Sequence, residues 1–517
     1  MIAPKFALFA MASATSDGAL AGSSHGCGTT LPRLFVYRLP PGYRSKGSRT
    51  GRGFGAPVQG IGPLEGVTLY RTHNYGAGAA AFEEALAHPC RTRDPAAADL
   101  FFLPAFATTN PGSTSSWCAE QSSTRAERNR LKRSCDANAT FHRLAEQART
   151  AAGVPYYAAR GGADHLVLTP KSGLGSYDYP QTFEVNLRNA RLAGWTKLAV
   201  EAPPDHRIWA GSLPWASLVH MPRDAPWDTA PWRWPHEPRP TLVALALGNR
   251  GVAKKSFQRL REALAKSCAA HPEACERLAF QTSRSGRPVD EPTVVTAALY
   301  ARSTFCLQPG GDSPSRKGVL DAVTLGCIPV FFQPAAAALW PWHWGAWGRN
   351  ASVVLPWPQG AAEDSVALLQ RIEGSAIAAM RRSLAEHAHC LHYAAPPRAA
   401  GGDVTAGMIG SAADAFDVIL AGSWRRSAAT RSQAPLCRAV PVGSAPRPPP
   451  AALRRAAPPA EPERCLRKRL SELDARETAN RSKAYLFENQ WGESCAKPAH
   501  AAAVARERVR RPGRNSK

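Results

Sequence analysis

Apolar residues along the chain come mostly in short β-rich runs, separated by stretches with helical periodicity. Leu34-Phe35-Val36-Tyr37 is stopped by Pro40-Pro41-Gly42 and predicts a first strand and turn. Residues 44–63, rich in Gly and Arg, read as a loop. Ala79–Ala87 predicts a helix, with Phe82 and Leu86 on one face. Leu100–Leu103, closed by Pro104, reads as a buried strand. Residues 140–152 predict a helix, and His165–Leu168, closed by Pro170, another strand. Strands alternating with helices point to a parallel α/β sheet.

The stretch 221–240 is dense in Pro and Trp and reads as an interdomain boundary. A second α/β run follows it. Thr241–Leu247 is an apolar strand ending at Gly248-Asn249-Arg250. A helix over about 255–268 puts Phe257, Leu260 and Leu264 on one face. Further elements are a helix over Thr293–Ala301, a strand over Thr304–Leu307, a helix over Arg316–Leu325 and a strand over Ile328–Phe332. A strand at Ser352–Leu355 and helices near 364–373, 375–388 and 411–421 complete the pattern, which fades beyond about 425. The expected organisation is a leader or linker over 1–30 and an α/β domain over 31–225. A second α/β domain spans 226–425, and a basic, Pro-rich, disordered tail spans 426–517.

Charge changes this picture mainly at the end of the chain. The 517 residues carry a net charge of +24. From Arg431 to Lys517 there are 19 Lys and Arg against 8 Asp and Glu, nearly half of the excess. Such a surface attracts polyanions, but no RRM, KH or helix-turn-helix pattern accompanies it, so nucleic acid is not expected as a partner. Twelve cysteines show no CxxC pair and no zinc-type spacing; their even number permits disulfides that spacing cannot assign. Sequons at Asn138, Asn350 and Asn480 weakly favour a secretory compartment. Lys5, the apolar run Phe6–Ala12 and Ala12-Ser13-Ala14 resemble a short signal segment, and no run reaches the ~20 apolar residues of a membrane span.

The candidate chemistry lies in Ser303–Phe332, which reads as strand, Gly-rich polar loop, helix, strand. Gly310 and Gly311 let backbone approach a ligand. Asp312, Ser313 and Ser315 gather donors where a helix begins, an arrangement suited to phosphate. Arg316 adds a planar cationic fork, and Asp321 could accept from ribose hydroxyls. The bland alternative is that Asp312–Ser315 is only a cap and turn. Cys306 and Cys327 are expected as core residues. The tryptophans at 340, 342, 344 and 347 suit either sugar stacking or packing.

The full stretch closely resembles the signature of the exostosin-type glycosyltransferases: Phe305-Cys306-Leu307, Pro309, Gly311-Asp312, a Ser/Pro turn with Arg316, Asp321 in a helix, then Gly326-Cys327-Ile328-Pro329-Val330. Other blocks match in order: Leu34–Tyr37 with Leu39–Pro41, Thr92–Pro95 with Ala98–Pro104, Gly161–His165, Arg239–Leu242 with Gly248–Arg250, and Ala415–Asp417. The resemblance covers roughly 33–425. It departs at Ala163, where an Arg is usual, and at Lys317-Gly318, where bulkier apolar residues are common. Glu276 and Glu291 are loose candidates for an acidic donor-site residue.

The resemblance implies a GT-B architecture, two Rossmann-like domains facing a central cleft, and inverting transfer from a UDP-sugar. UDP-sugar is then a co-substrate, and no other cofactor is expected. The implied acceptor is a glycan, oligosaccharide or polysaccharide, acidic ones included. The implied place is the Golgi lumen or Golgi membrane, in association with the membrane or with other glycosyltransferases. No Asp-x-Asp pair occurs in the chain, so metal-independent transfer is expected, with Arg250 and Arg316 neutralising the diphosphate. The donor set is Gly248, Arg250, Gly310, Gly311, Asp312, Ser313, Ser315, Arg316 and Asp321. Asp164 and His165 are the candidate catalytic base, with a structural histidine as the alternative and His73 and Glu83 as weaker options. A catalytically inactive glycan-binding relative is the competing function.

Overall fold

In the computed structural model of the chain, the residues described are 27–37, 54–55, 57–72, 76–103, 160–169, 194–201, 210–248, 255–280, 292–311, 314–345, 347–357, 364–397, 408–428 and 436–442. Two parallel sheets carry the fold. The first is ordered β4-β1-β5-β6-β7-β8: Arg91–Thr92, Leu34–Val36, Leu100–Leu103, His165–Thr169, Thr196–Ala199 and Gly211–Ser212. The second is ordered β10-β9-β11-β12-β13: Cys275–Phe280, Thr241–Gly248, Ser303–Gln308, Ile328–Phe331 and Val353–Val354. A small antiparallel hairpin pairs β2 (Pro57–Gln59) with β3 (Thr68–Tyr70). Every pairing within the two large sheets is parallel. The expected α/β fold is present, with its strands in two separate parallel sheets.

The central strands are apolar on both faces, as sheets covered by helices require. Leu100, Phe101, Phe102 and Leu103 are all buried, as are Val243–Leu247 and Ser303–Gln308. The described helices are α1 (Ala77–Ala87), α2 (Lys255–Ala270), α3 (Pro292–Ala301), α4 (Lys317–Thr324), α5 (Pro334–Ala337), α6 (Ser365–Gln370), α7 (Gly374–His387) and α8 (Ala415–Ser427). The expected helix over 140–152 lies outside the described residues. Among the described residues no helix is long and apolar enough to cross a membrane.

The region between the sheets and the end of the second one show how the halves are joined. The Pro/Trp stretch 221–240 is a packed seam: Trp227 and Trp232 are buried in it. Helix α8, expected to close the second domain, instead packs on the first. Its Phe416 ring lies 6.0 Å from Phe102 of β5, and Asp417 accepts from His88 just beyond α1 at 2.7 Å. Arg223 of the seam donates to Asp414 at 2.5 Å and to Asp417 at 3.4 Å, so α8 joins domain and seam through buried charge. A capping box by Asp414 and Asp417 starts the helix. The packed chain also runs past 425, since buried Cys437 is bonded to Cys390.

Candidate active site

The second sheet has a topological switch point. From β9 the chain crosses to β10 on one side, then returns to β11 on the other. The carboxyl ends of β9 and β11, at Gly248 and Gln308, therefore border a crevice where open α/β sheets bind ligands. The loop after β11 brings Gly310 and Gly311 to this mouth. Asp312, Ser313 and Arg250 lie outside the described residues.

Arg316 is the N-cap of α4, with extended backbone at φ −159°. Its guanidinium folds back over the sheet end, and Nη2 donates to the carbonyl of Ala246 in β9 at 2.9 Å. Nη1 is buried and has no hydrogen-bond partner among the described residues. Gly318 makes this position available. A Cβ there would meet Arg316 Nε at 2.9 Å, Gln308 Oε1 at 3.0 Å and Arg316 Nη2 at 3.1 Å. The departure from the family pattern at residue 318 thus coincides with the seat of the cation. Gln308, at the end of β11, is buried; its Nε2 lies 3.4 Å from the Tyr300 hydroxyl, while Oε1 has no partner.

A second cation reaches the same loop. Arg261 of α2 donates from Nε to the Gly310 carbonyl at 3.1 Å, and a Cβ on Gly311 would stand 3.4 Å from its Nη2. Two guanidiniums therefore stand at the switch point, Arg261 against the Gly310-Gly311 loop and Arg316 against the end of β9. This is the charge environment a diphosphate needs.

Ser315 and Asp321 are placed differently from expectation. Ser315 is buried, and its N–H donates to Glu201 Oε1 at 3.1 Å. Its hydroxyl also donates to Glu201, and Trp215 Nε1 donates to Ser315 Oγ at 3.0 Å. A carboxylate from the first domain thus occupies the donors at the start of α4 that were expected to face phosphate. Asp321 accepts from the Leu218 N–H at 2.9 Å and from Lys317 Nζ at 2.6 Å through Oδ1. Through Oδ1 it holds the seam against α4. Glu276 pairs with Arg302 and Thr241 at the amino end of its sheet, away from the crevice.

The candidate catalytic pair Asp164 and His165 lies inside the first sheet's core. His165 opens β6, level with Phe101 in the middle of β5. Ligands collect at the other end of the strand, four residues on, which at ~3.3 Å per residue is about 13 Å away. His165 is fully buried and stacked on Phe101, with ring centroids 4.8 Å apart. Nδ1 meets Asp164 Oδ1 at 2.8 Å and Nε2 meets the Tyr37 hydroxyl at 2.8 Å. Burial pushes the Tyr37 phenol up, and the Asp164 charge adds to the effect. The pair is the structural alternative: a core relay tying β1 to β6. His165 stands at the amino end of β6, opposite the carboxyl ends where parallel sheets bind ligands.

Glu201, Arg261 and Gln308 were not singled out in the sequence. Glu201 follows β7 at its carboxyl end, the side that faces the second domain. Its signal was an acid closing the run Trp195–Val200, interrupted by Lys197, before Pro203-Pro204, in a strand the sequence pattern did not mark. The tryptophans at 340, 344 and 347 are buried. Trp340 Nε1 donates to the Val200 carbonyl at 2.9 Å and Trp342 abuts Gly211 and Gly422, so the cluster packs the interdomain seam. Cys306 and Cys327 are core residues as expected, and they are bonded to each other. One grouping among the described residues, His389, Cys390 and Cys437, has metal-ligand spacing, but its sulfurs form a disulfide and offer no thiolate.

Comparison with known proteins supports the motif reading. Residues 29–341 match the sequence profile of the Exostosin GT47 domain. Among curated relatives, a probable xyloglucan galactosyltransferase GT17 of Arabidopsis thaliana is 28% identical over 257 residues, covering 48% of this chain and 50% of the relative. Xyloglucan-specific galacturonosyltransferase 1 of the same plant is 26% identical over 294 residues, covering 55% of this chain and 40% of the relative. The chain spans half or less of the length of these relatives. Among solved structures, glycosyltransferase VinC in complex with dTDP aligns at a TM-score of 0.27 and 15% identity over 62% of this chain and 92% of that one, too weak a likeness to argue from. With the profile covering more than half of its length and the signature lying at the switch point of its second sheet, the chain belongs to the exostosin GT47 family.

Proposed function

We propose that the chain is a glycosyltransferase that moves a sugar from a UDP-sugar to a glycan acceptor, with inversion and without a metal ion. The observation that carries this reading is the Arg316 guanidinium, fixed at the β9–β11 switch point with Nη1 unspent. Arg316 and Arg261, beside the Gly310-Gly311 loop, would neutralise the charge that develops on the leaving UDP. This supplies electrostatically what an Asp-x-Asp-bound cation supplies in metal-dependent enzymes. The acceptor would enter between the two sheets. The names of the relatives put galactosyl and galacturonosyl transfer to xyloglucan first among the reactions to test. Family membership and the four disulfides among the described residues support the secretory pathway, with the Golgi as the proposed place. A second reading, a glycan-binding relative without transfer, is favoured by one observation: Glu201 occupies the Ser315 donors.

The test is UDP release from a panel of UDP-sugars, with and without a xyloglucan oligosaccharide, in the presence and absence of EDTA. The proposal predicts acceptor-dependent release that survives chelation and a product of inverted anomeric configuration. Release abolished by EDTA and restored by manganese refutes the metal-independent site. A folded protein that binds glycan but turns over no donor establishes the second reading.

A further inference from the structure

Asn350 takes no part in the cleft, and it heads the sequon Asn350-Ala351-Ser352. It sits in the 3₁₀ turn Trp347–Ala351, which leads into the edge strand β13. The turn is fastened on its inner side. The Trp347 ring stacks on His387 with centroids 5.0 Å apart, and its Nε1 donates to the His343 carbonyl at 2.9 Å. Ser352 Oγ donates to the Gly348 carbonyl at 2.7 Å. Gly348 and Ala351 are buried, whereas Arg349 and Asn350 face solvent. The asparagine amide is therefore held outward on a rigid turn, with exposed Pro341 and Gly345 in the preceding segment.

A second, independent observation concerns compartment. Four disulfides join described residues: Cys27–Cys90, Cys268–Cys275, Cys306–Cys327 and Cys390–Cys437. Three link residues that are all buried, and such bonds form in an oxidising lumen. That lumen is also where sequons are read.

We propose that Asn350 carries an N-linked glycan. In the modifying step, Asn350 Nδ2 bonds to the anomeric carbon of an oligosaccharide carried on a polyisoprenyl diphosphate. The bond from that carbon to the diphosphate oxygen breaks. The amide proton leaves to a base of the modifying enzyme, and the lipid diphosphate departs with the bonding electrons. Because Ser352 spends its hydroxyl on Gly348 once folded, the sequon is read on the nascent chain.

The location suits the rest of the molecule. Asn350 lies three residues before Val353, on the amino side of β13, whereas the crevice lies at the carboxyl ends of β9 and β11. A glycan here leaves the cleft clear. It also stands beside the open edge of the second sheet, where Val354 is 38% exposed, and a hydrated glycan discourages edge-to-edge pairing.

The test is peptide mapping of the full chain secreted by a eukaryotic host, treated with peptide N-glycosidase in ¹⁸O-water. The expected result is ¹⁸O-labelled aspartate at position 350, with one glycan lost from the intact mass in N350Q and in S352A, and occupancy kept in S352T. N350Q should bind UDP as the wild type does. A wild-type peptide with unmodified Asn350 overturns the proposal, whatever the variants do.

Discussion

Gly318→Ala probes the site without touching its charge. The new Cβ would stand 2.9 Å from Arg316 Nε and 3.1 Å from Nη2, so the guanidinium must shift from its seat beside the Ala246 carbonyl. Helix α4 itself should not suffer, since Ala favours a helix interior over Gly by ~0.5–1 kcal/mol. What is lost is a positioned charge-assisted contact with the diphosphate, about 1.5–3 kcal/mol. At ~1.4 kcal/mol per tenfold, UDP binding should weaken roughly 10- to 100-fold. Arg316→Ala should weaken it as much, and the double variant no further, because both remove one interaction. Arg316→Lys should recover only part, for want of a fork. The assay is calorimetric UDP titration of the four variants, with thermal melts to confirm folding. Wild-type affinity in Gly318→Ala or in Arg316→Ala, or additive losses in the double, would refute the placement.

Other consequences follow from residues outside the crevice. His165→Gln should lower the melting temperature yet leave kcat for transfer within a few-fold; a folded variant without transfer would restore His165 as a catalytic residue. Glu201→Ala orphans the buried Ser315 N–H and should cost about 1–3 kcal/mol of stability in denaturant titration; an unchanged midpoint would show that the contact is dispensable. Cys390→Ser with Cys437→Ser should cost roughly 2–4 kcal/mol, read the same way, and no loss would mean that 436–442 does not hold the fold. Burial pushes His343 down to about 4, with the Ala415 carbonyl acting against it. Its folded value lies below the ordinary ~6.5, so its contribution is full above that pH and is lost as pH falls toward 4. The melting gap between wild type and His343→Gln should therefore narrow from pH 7 to pH 4.5, and a constant gap would contradict the assignment.

Much of the fold was legible because the strands of the second sheet are long apolar runs bounded by Gly and Pro. Thr241–Gly248, Ser303–Gln308 and Ile328–Phe331 were found to within a residue or two. Cys275–Phe280 was not, since Cys-Glu-Arg-Leu-Ala-Phe mixes charge into an edge strand and carries neither alternation nor a turn signal. Thr196–Ala199 escaped for a similar reason: Lys197 lies buried within it. In the site, Arg316 and the glycine pair were visible because local sequence dictates a loop before a helix. Glu201 and Arg261 were not, because they reach the loop from 114 residues and 49 residues away, and only the tertiary fold sets those distances. The placement of Asp164 and His165 was not legible for a different reason. Sequence marks the turn and the strand start, but the end of the strand decides whether such a pair meets substrate or core.

The central claim is that a nucleoside diphosphate sits at the β9–β11 switch point on Arg316. A crystal structure of the chain with UDP tests this most directly. The account predicts diphosphate oxygens within hydrogen-bond distance of Arg316 Nη1 and beside the Gly310-Gly311 loop, with Arg261 on its other side. A diphosphate bound elsewhere, with Arg316 Nη1 still unpartnered, would contradict it.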